Sequence, residues 1–185
     1  VTETGGADGL AAAYRTLIRA CTFLAESLQA RALHGRDGSD VLRGAGGARV
    51  VGNGLRELDR FLCLLLDEAV ARVAPPGFDR RAYQRRRNAA IKLREFHRLT
   101  GSDSLDGARL RAIGRLRACL HHVSGIVHDP GLYRDVRIAA GTSGDAAPSA
   151  LRLPITFDDL AAICRFYAAL AGTIIAACDR AEPVP

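Results

Sequence analysis

Leu55, Leu58, Phe61, Leu62, Leu65, Leu66, Ala69 and Val73 recur every three or four residues. That spacing gathers side chains on one side of an α-helix but would scatter them over both faces of a strand. A stripe this broad has to be covered, so residues 49–73 are expected as a central helix of the core. Pro75-Pro76-Gly77 ends it, because neither proline can donate a helical hydrogen bond, and Asp79 is placed to cap the next helix.

The same period organises most of the chain. Leu10, Tyr14, Leu17, Cys21, Leu24 and Leu28 predict a helix over 8–34, stopped by Gly35 and Gly38, and the Gly-, Arg- and Asp-rich stretch 36–48 reads as a flexible connection. A basic helix is expected over 79–99, closed by Thr100-Gly101-Ser102-Asp103. Another is expected over 105–128, closed by Asp129-Pro130-Gly131. Thr156 with Asp159 resembles a capping box and opens a last helix to about residue 179. Between these two helices the period changes. Val136 and Ile138, then Leu151, Leu153 and Ile155, alternate every second residue, so 134–138 and 151–155 are expected to pair as a small β-hairpin with Pro154 on an edge. The expected fold class is therefore all-α, a four- to five-helix up-and-down bundle with that hairpin before the last helix. At 185 residues it is expected as a single domain, with the N-terminal helix and connection in 1–48 and the bundle core in 49–180.

Composition narrows the function classes. Apolar residues make up 48% and charged residues 25%, a globular profile rather than a disordered one. No uninterrupted apolar run approaches a membrane span, and Val1 to Gly6 lack the basic start and apolar block of a secretory signal, so a cytoplasmic protein with no membrane partner is expected. The five cysteines, Cys21, Cys63, Cys119, Cys164 and Cys178, are scattered and never form a C-x-x-C pair. They are expected as reduced core fillers, with no metal site and no cofactor. The formal charge is +6, and Lys92 is the only lysine. Arginine makes bidentate contacts to phosphate, so the balance suits an anionic partner. The basic side chains concentrate on 79–99, where Arg85, Arg86, Arg87, Lys92 and Arg94 are the candidate RNA contacts.

Histidine, which titrates near neutral pH and can pass a proton in either direction, marks where chemistry could sit. Three of the five histidines, His121, His122 and His128, fall on the helix expected over 105–128. Arg117 and His121 are four apart and share a face, as do Arg115 and His122 at seven apart. Arginine with histidine is what metal-free RNA cleavage requires. Imidazoles take the proton from the attacking 2′-hydroxyl and return one to the leaving 5′-oxygen, while the guanidinium stabilises charge on the phosphoryl oxygens. His34 and His97 are expected in capping or surface roles, and His128 with Asp129 at the C-terminal stop of its helix.

The run Arg117-Ala118-Cys119-Leu120-His121-His122 resembles the signature of the HEPN domain family, an arginine followed after four to six residues by a histidine. Arg117 to His122 fits with four intervening residues, and Arg115 to His121 or His122 also fits. The resemblance implies a helical bundle over about 49–180 that homodimerises, brings two motifs into one cleft and acts as a metal-independent ribonuclease, commonly with an antitoxin partner. Arg117, His122, His121 and Arg115 would then be the catalytic residues. In catalytic members the residue after the arginine is typically polar, whereas Ala118 stands here. Two alternatives therefore stay open: a catalytically silent module that binds RNA or a nucleotide, and a helical regulatory or protein-interaction protein.

Overall fold

The structure is a computed structural model that describes residues 5–34, 42, 44–102, 106–142 and 151–181. Among them the chain is all-helical, with seven helices and no strand: α1 (Gly5–His34), α2 (Gly44–Val73), α3 (Arg80–Arg85), α4 (Ala89–Thr100), α5 (Asp106–His122), α6 (Gly131–Ala140) and α7 (Phe157–Arg180). The stops expected at Gly35 and Gly38, and most of the 36–43 connection, lie outside the described residues.

The stripe on α2 is the hub of the bundle. Val51, Leu55, Leu58, Leu62, Leu65 and Leu66 are at most 1% exposed, and α2 packs against α1, α3, α4, α5 and α7. It also begins earlier than expected, at Gly44, within the stretch read as a connection. Close approach to α5 is permitted by Gly52, where a Cβ would lie 3.1 Å from Leu120 Cβ and 3.2 Å from the His121 backbone nitrogen. Cys21, Cys119, Cys164 and Cys178 are buried and Cys63 is half-buried, so the thiols do pack as core material.

Three expectations are corrected. The basic helix over 79–99 is two helices. Asp79 caps α3 as expected, its carboxylate accepting the Ala82 amide at 2.9 Å. The backbone then turns extended at Arg86, and Asn88 starts α4 afresh by accepting the Ile91 amide at 3.1 Å. Asparagine favours this cap geometry over a helix interior, and the buried Tyr83 holds the bend by donating its hydroxyl to the Lys92 carbonyl at 3.1 Å. The helix over 105–128 ends at His122, because Ser124 (φ 54°) and Gly125 (φ 78°) enter the left-handed region. The Gly125 amide there bonds back to the Cys119 carbonyl.

The third correction concerns the hairpin. Residues 134–138 lie inside α6, where Val136, Ala139 and Ala140 are buried on one helical face and Gly141 (φ 74°) closes the C-terminus. Helical burial at three- and four-residue spacing outweighed the short alternation of Val136 with Ile138. The extended 151–155 segment instead runs beside the turn after α5. It forms one isolated antiparallel bridge, between Ile126 and Arg152, and buries Leu153 and Ile155.

The capping box at α7 is present, with Thr156 Oγ1 accepting the Asp159 amide at 3.1 Å and the Asp159 carboxylate accepting the Thr156 amide at 2.8 Å. By length and composition α7 is apolar enough to cross a membrane, a property hidden in the sequence because Asp158, Asp159 and Arg165 break its runs. Half of its most apolar window is buried in the bundle, as in a core helix.

Candidate functional site

Three carboxylates set into the helical interfaces decide which cations are committed to the fold. Asp59 on α2 sits within the apolar stripe, 14% exposed, and takes Arg117 Nη1 on Oδ2 and the Tyr167 hydroxyl on Oδ1 at 2.5 Å. This joins α2, α5 and α7. Burial pushes the Asp59 carboxyl above its ordinary value, and the Tyr167 hydroxyl and Arg117 guanidinium oppose that rise. Asp67, two turns further along α2, accepts Lys92 Nζ at 2.5 and 2.7 Å. Asp135 on α6 receives a two-pronged contact from Arg115, Nε to Oδ2 at 2.5 Å and Nη2 to Oδ1.

The sequence-derived site residues therefore separate. Lys92 is 1% exposed, locked to Asp67 and 5.1 Å from the centre of the Tyr83 ring, so it is a core clamp and not a surface contact. The helical period misassigns it because α4 turns its Lys92 and Leu93 side toward α2. Arg117 is a third exposed, with one corner engaged by Asp59, and Arg115 is half-exposed with two nitrogens engaged by Asp135. Arg85, Arg86, Arg87 and Arg94 are exposed, and none reaches a carboxylate within ion-pair distance among the described residues.

Adjoining clefts lie over this surface. One, about 840 Å³, runs between α4 and α5 with Arg94, Arg98 and Arg111 on its sides, Ile91 and Ala108 on its apolar part, and no carboxylate among its described lining residues. A second, about 560 Å³, shares Asn88, Ala90 and Arg111 with it and adds Arg87, Arg115, Arg117 and Asp59. Gly114 and Ala118 line this second cleft, so α5 presents little side chain there. A third, about 460 Å³, opens between α2 and the α3–α4 link and includes Arg86, Arg87, Arg117 and the edge of the Asp67–Lys92 pair. Arg111 pairs with no described carboxylate, and Arg98 is held by Glu95 at 2.7 Å.

His121 and His122 close α5 with their rings edge to face at 4.9 Å. His122 is exposed; His121 is half-buried, and its Nδ1 is buried without a hydrogen-bond partner among the described residues. Arg115 and Arg117 turn to Asp135 and Asp59 rather than to the imidazoles, so the arginine–histidine pairs suggested by spacing are not hydrogen-bonded pairs in the fold. His97 lies in the first cleft with Nδ1 2.7 Å from Ser102 Oγ, and its carbonyl takes the Gly101 amide at the end of α4. His128 is exposed, and His34 lies at the end of α1. Among the described residues no three His, Cys, Asp or Glu side chains are grouped as metal ligands would be.

Sequence reasoning missed Asp59, Tyr167 and Asp135 as site residues. Asp59 had a visible signal, since it interrupts an apolar stripe four residues after Leu55 and three before Leu62. No family model matches this chain, and neither the curated proteins nor the solved structures contain a match.

Proposed function

We propose that this chain is a HEPN-like RNA-binding protein whose ligand lies along the two clefts between α4 and α5. The observation that carries the reading is the charge of their walls. Arg87, Arg94, Arg98, Arg111, Arg115 and Arg117 line them, and among the described lining residues Asp59 is the only acidic one. A concave, carboxylate-poor arginine surface attracts a polyanion and releases its counterions on contact. Binding of a labelled single-stranded RNA by fluorescence anisotropy tests this. Affinity falls steeply with salt, and Arg87→Glu with Arg111→Glu weakens it further. A flat dependence of log Kd on log salt overturns the reading.

A second reading, metal-independent RNA cleavage by a homodimer, is favoured by one observation. The exposed His122 sits in contact with His121 at the end of the helix that floors the second cleft. In that reaction one imidazole takes the 2′-hydroxyl proton, the 2′-oxygen attacks phosphorus, and the other imidazole protonates the departing 5′-oxygen. Two chains would supply acid and base, with Arg117 and Arg115 stabilising the phosphoryl charge. Cleavage in chelator by the native chain, lost in an Arg117→Ala, His121→Ala, His122→Ala variant that remains folded, supports this reading. No cleavage by the native chain, or cleavage undiminished in the variant, leaves RNA binding alone.

A further inference from the structure

Asp59, Arg87 and Arg117 line both the second and the third clefts, so they stand where the two meet. Arg117 reaches this point from α5, Asp59 from α2 and Arg87 from the α3–α4 link. The Asp59 carboxylate serves two donors with its two oxygens, Tyr167 on Oδ1 and Arg117 on Oδ2. Tyr167 is fully buried, so the carboxylate cannot rotate away without stranding a hydroxyl in the core. A carboxylate fixed from behind in turn fixes the guanidinium in front of it. Only Nη1 of Arg117 is used, and its other nitrogens hydrogen-bond to no described residue. A planar guanidinium held at one corner and open along another edge is prepared to receive two oxygens of a phosphoryl group. Arg87 brings a second cation to the same place, exposed and paired with no described carboxylate.

The geometry points to a subsite for a phosphoryl anion at this junction, with Arg117 and Arg87 as its donors and Asp59, seated by Tyr167, as the residue that positions Arg117. The identity of the ligand as an RNA phosphodiester rests on the proposed RNA binding; the anion subsite itself does not.

The sign of one substitution separates positioning from simple charge. Asp59 is an anion beside an anion site, so by Coulomb's law alone its neutralisation strengthens binding. Positioning reverses that sign. Asparagine has one acceptor oxygen where aspartate has two, so in Asp59→Asn either Tyr167 or Arg117 faces an amide NH2. Adding Tyr167→Phe removes the competing donor and returns the asparagine oxygen to Arg117.

The experiment uses the full chain, with each variant held well below its own melting temperature. Inorganic phosphate is titrated while the arginine Nε–Hε NMR signals are followed, and single-stranded RNA binding is measured in parallel. Phosphate should shift the Arg117 and Arg87 signals. Asp59→Asn and Arg87→Ala should each weaken phosphate and RNA about tenfold, the loss of one oriented contact, and lower the RNA salt slope by about 0.7. The Asp59→Asn, Tyr167→Phe pair should recover most of the first loss. Equal or tighter phosphate binding by Asp59→Asn overturns the positioning role. Arg87, in an exposed link, gives the subsite a test that does not depend on the core, and unchanged phosphate binding in Arg87→Ala overturns it. If phosphate shifts both arginines but RNA does not bind, the subsite stands for a smaller phosphorylated ligand and the RNA reading falls. If RNA binds while phosphate moves neither arginine, the subsite falls and the RNA reading stands.

Discussion

Removing Lys92 should strand the Asp67 carboxylate at the α2–α4 contact. The Lys92 side chain is 1% exposed and that of Asp67 is 17% exposed, so Lys92→Ala leaves a carboxylate largely out of water without its cation. Breaking a buried pair from one side costs about 3–5 kcal/mol. Burial already pushes the Asp67 carboxyl toward its protonated form, and the side chain keeps some contact with water, which places this case at the lower end, about 3 kcal/mol. For a chain of this size each kcal/mol moves Tm by about 2–4 °C, so the melt should fall by about 6–12 °C. Urea unfolding followed by circular dichroism gives the free energy directly. Replacing both partners, Asp67→Leu with Lys92→Met, removes the stranded charge and should recover more than half of the loss. That double variant should also bind RNA with the native salt slope, since Lys92 is a clamp. A Lys92→Ala variant within 1 kcal/mol of the native chain, or a double variant with a reduced salt slope, refutes the reasoning.

Other perturbations test the same geometry. Gly52→Ala should cost about 1–2 kcal/mol in urea unfolding, because its Cβ would meet Leu120 Cβ and a backbone nitrogen that cannot yield, whereas Gly172→Ala, with nothing within 4 Å, should gain about 0.5–1 kcal/mol. Thr156→Ala removes half of the α7 capping box and should cost about 1 kcal/mol in the same assay. A native-state thiol titration at pH 8 should find little fast reaction, since burial pushes Cys63, Cys164 and Cys178 up to about 11 and Cys21 up to about 12. The sign for stability is set by the same shifts: folded thiols keep protons that unfolded ones, titrating near about 8.5, release, so unfolding free energy should decline as pH rises from about 9 toward 12.

The sequence carried the long helices well because each buries a stripe that survives at three- and four-residue spacing. The α7 capping box and the Asp79 cap were legible for a related reason: they are local bonds between residues three apart. The α3–α4 break was not, since Asn88 caps only once Tyr83 is drawn into the core against Lys92, a contact made nine residues away. The fate of 134–138 was likewise settled at a distance, by Asp135 meeting Arg115 across twenty residues and by Ala139 taking the Arg109 Nε–H at 2.8 Å. For the candidate site, residue type was readable and commitment was not. Nothing in the run from Arg115 to His122 announces that Asp59 and Asp135 take hold of its arginines.

That commitment decides how the arginine surplus should be understood. Each inward carboxylate claims one cation, Asp59 with Arg117, Asp67 with Lys92 and Asp135 with Arg115. Arg109 is spent differently, on the Ala139 and Ala162 carbonyls and on the face of the Phe166 ring at 4.3 Å. Arg85, Arg86, Arg87, Arg94 and Arg111 receive no such partner among the described residues, and most of them face the clefts. The clefts over α4 and α5 thus hold committed and free arginines side by side, which predicts an asymmetry between neighbours on one helix. Arg111→Glu should weaken RNA binding with little change in stability. Arg115→Glu should weaken both, because it also sets a second carboxylate against the buried Asp135. Equal stability losses at the two positions would mean that the division between committed and free arginines is wrong.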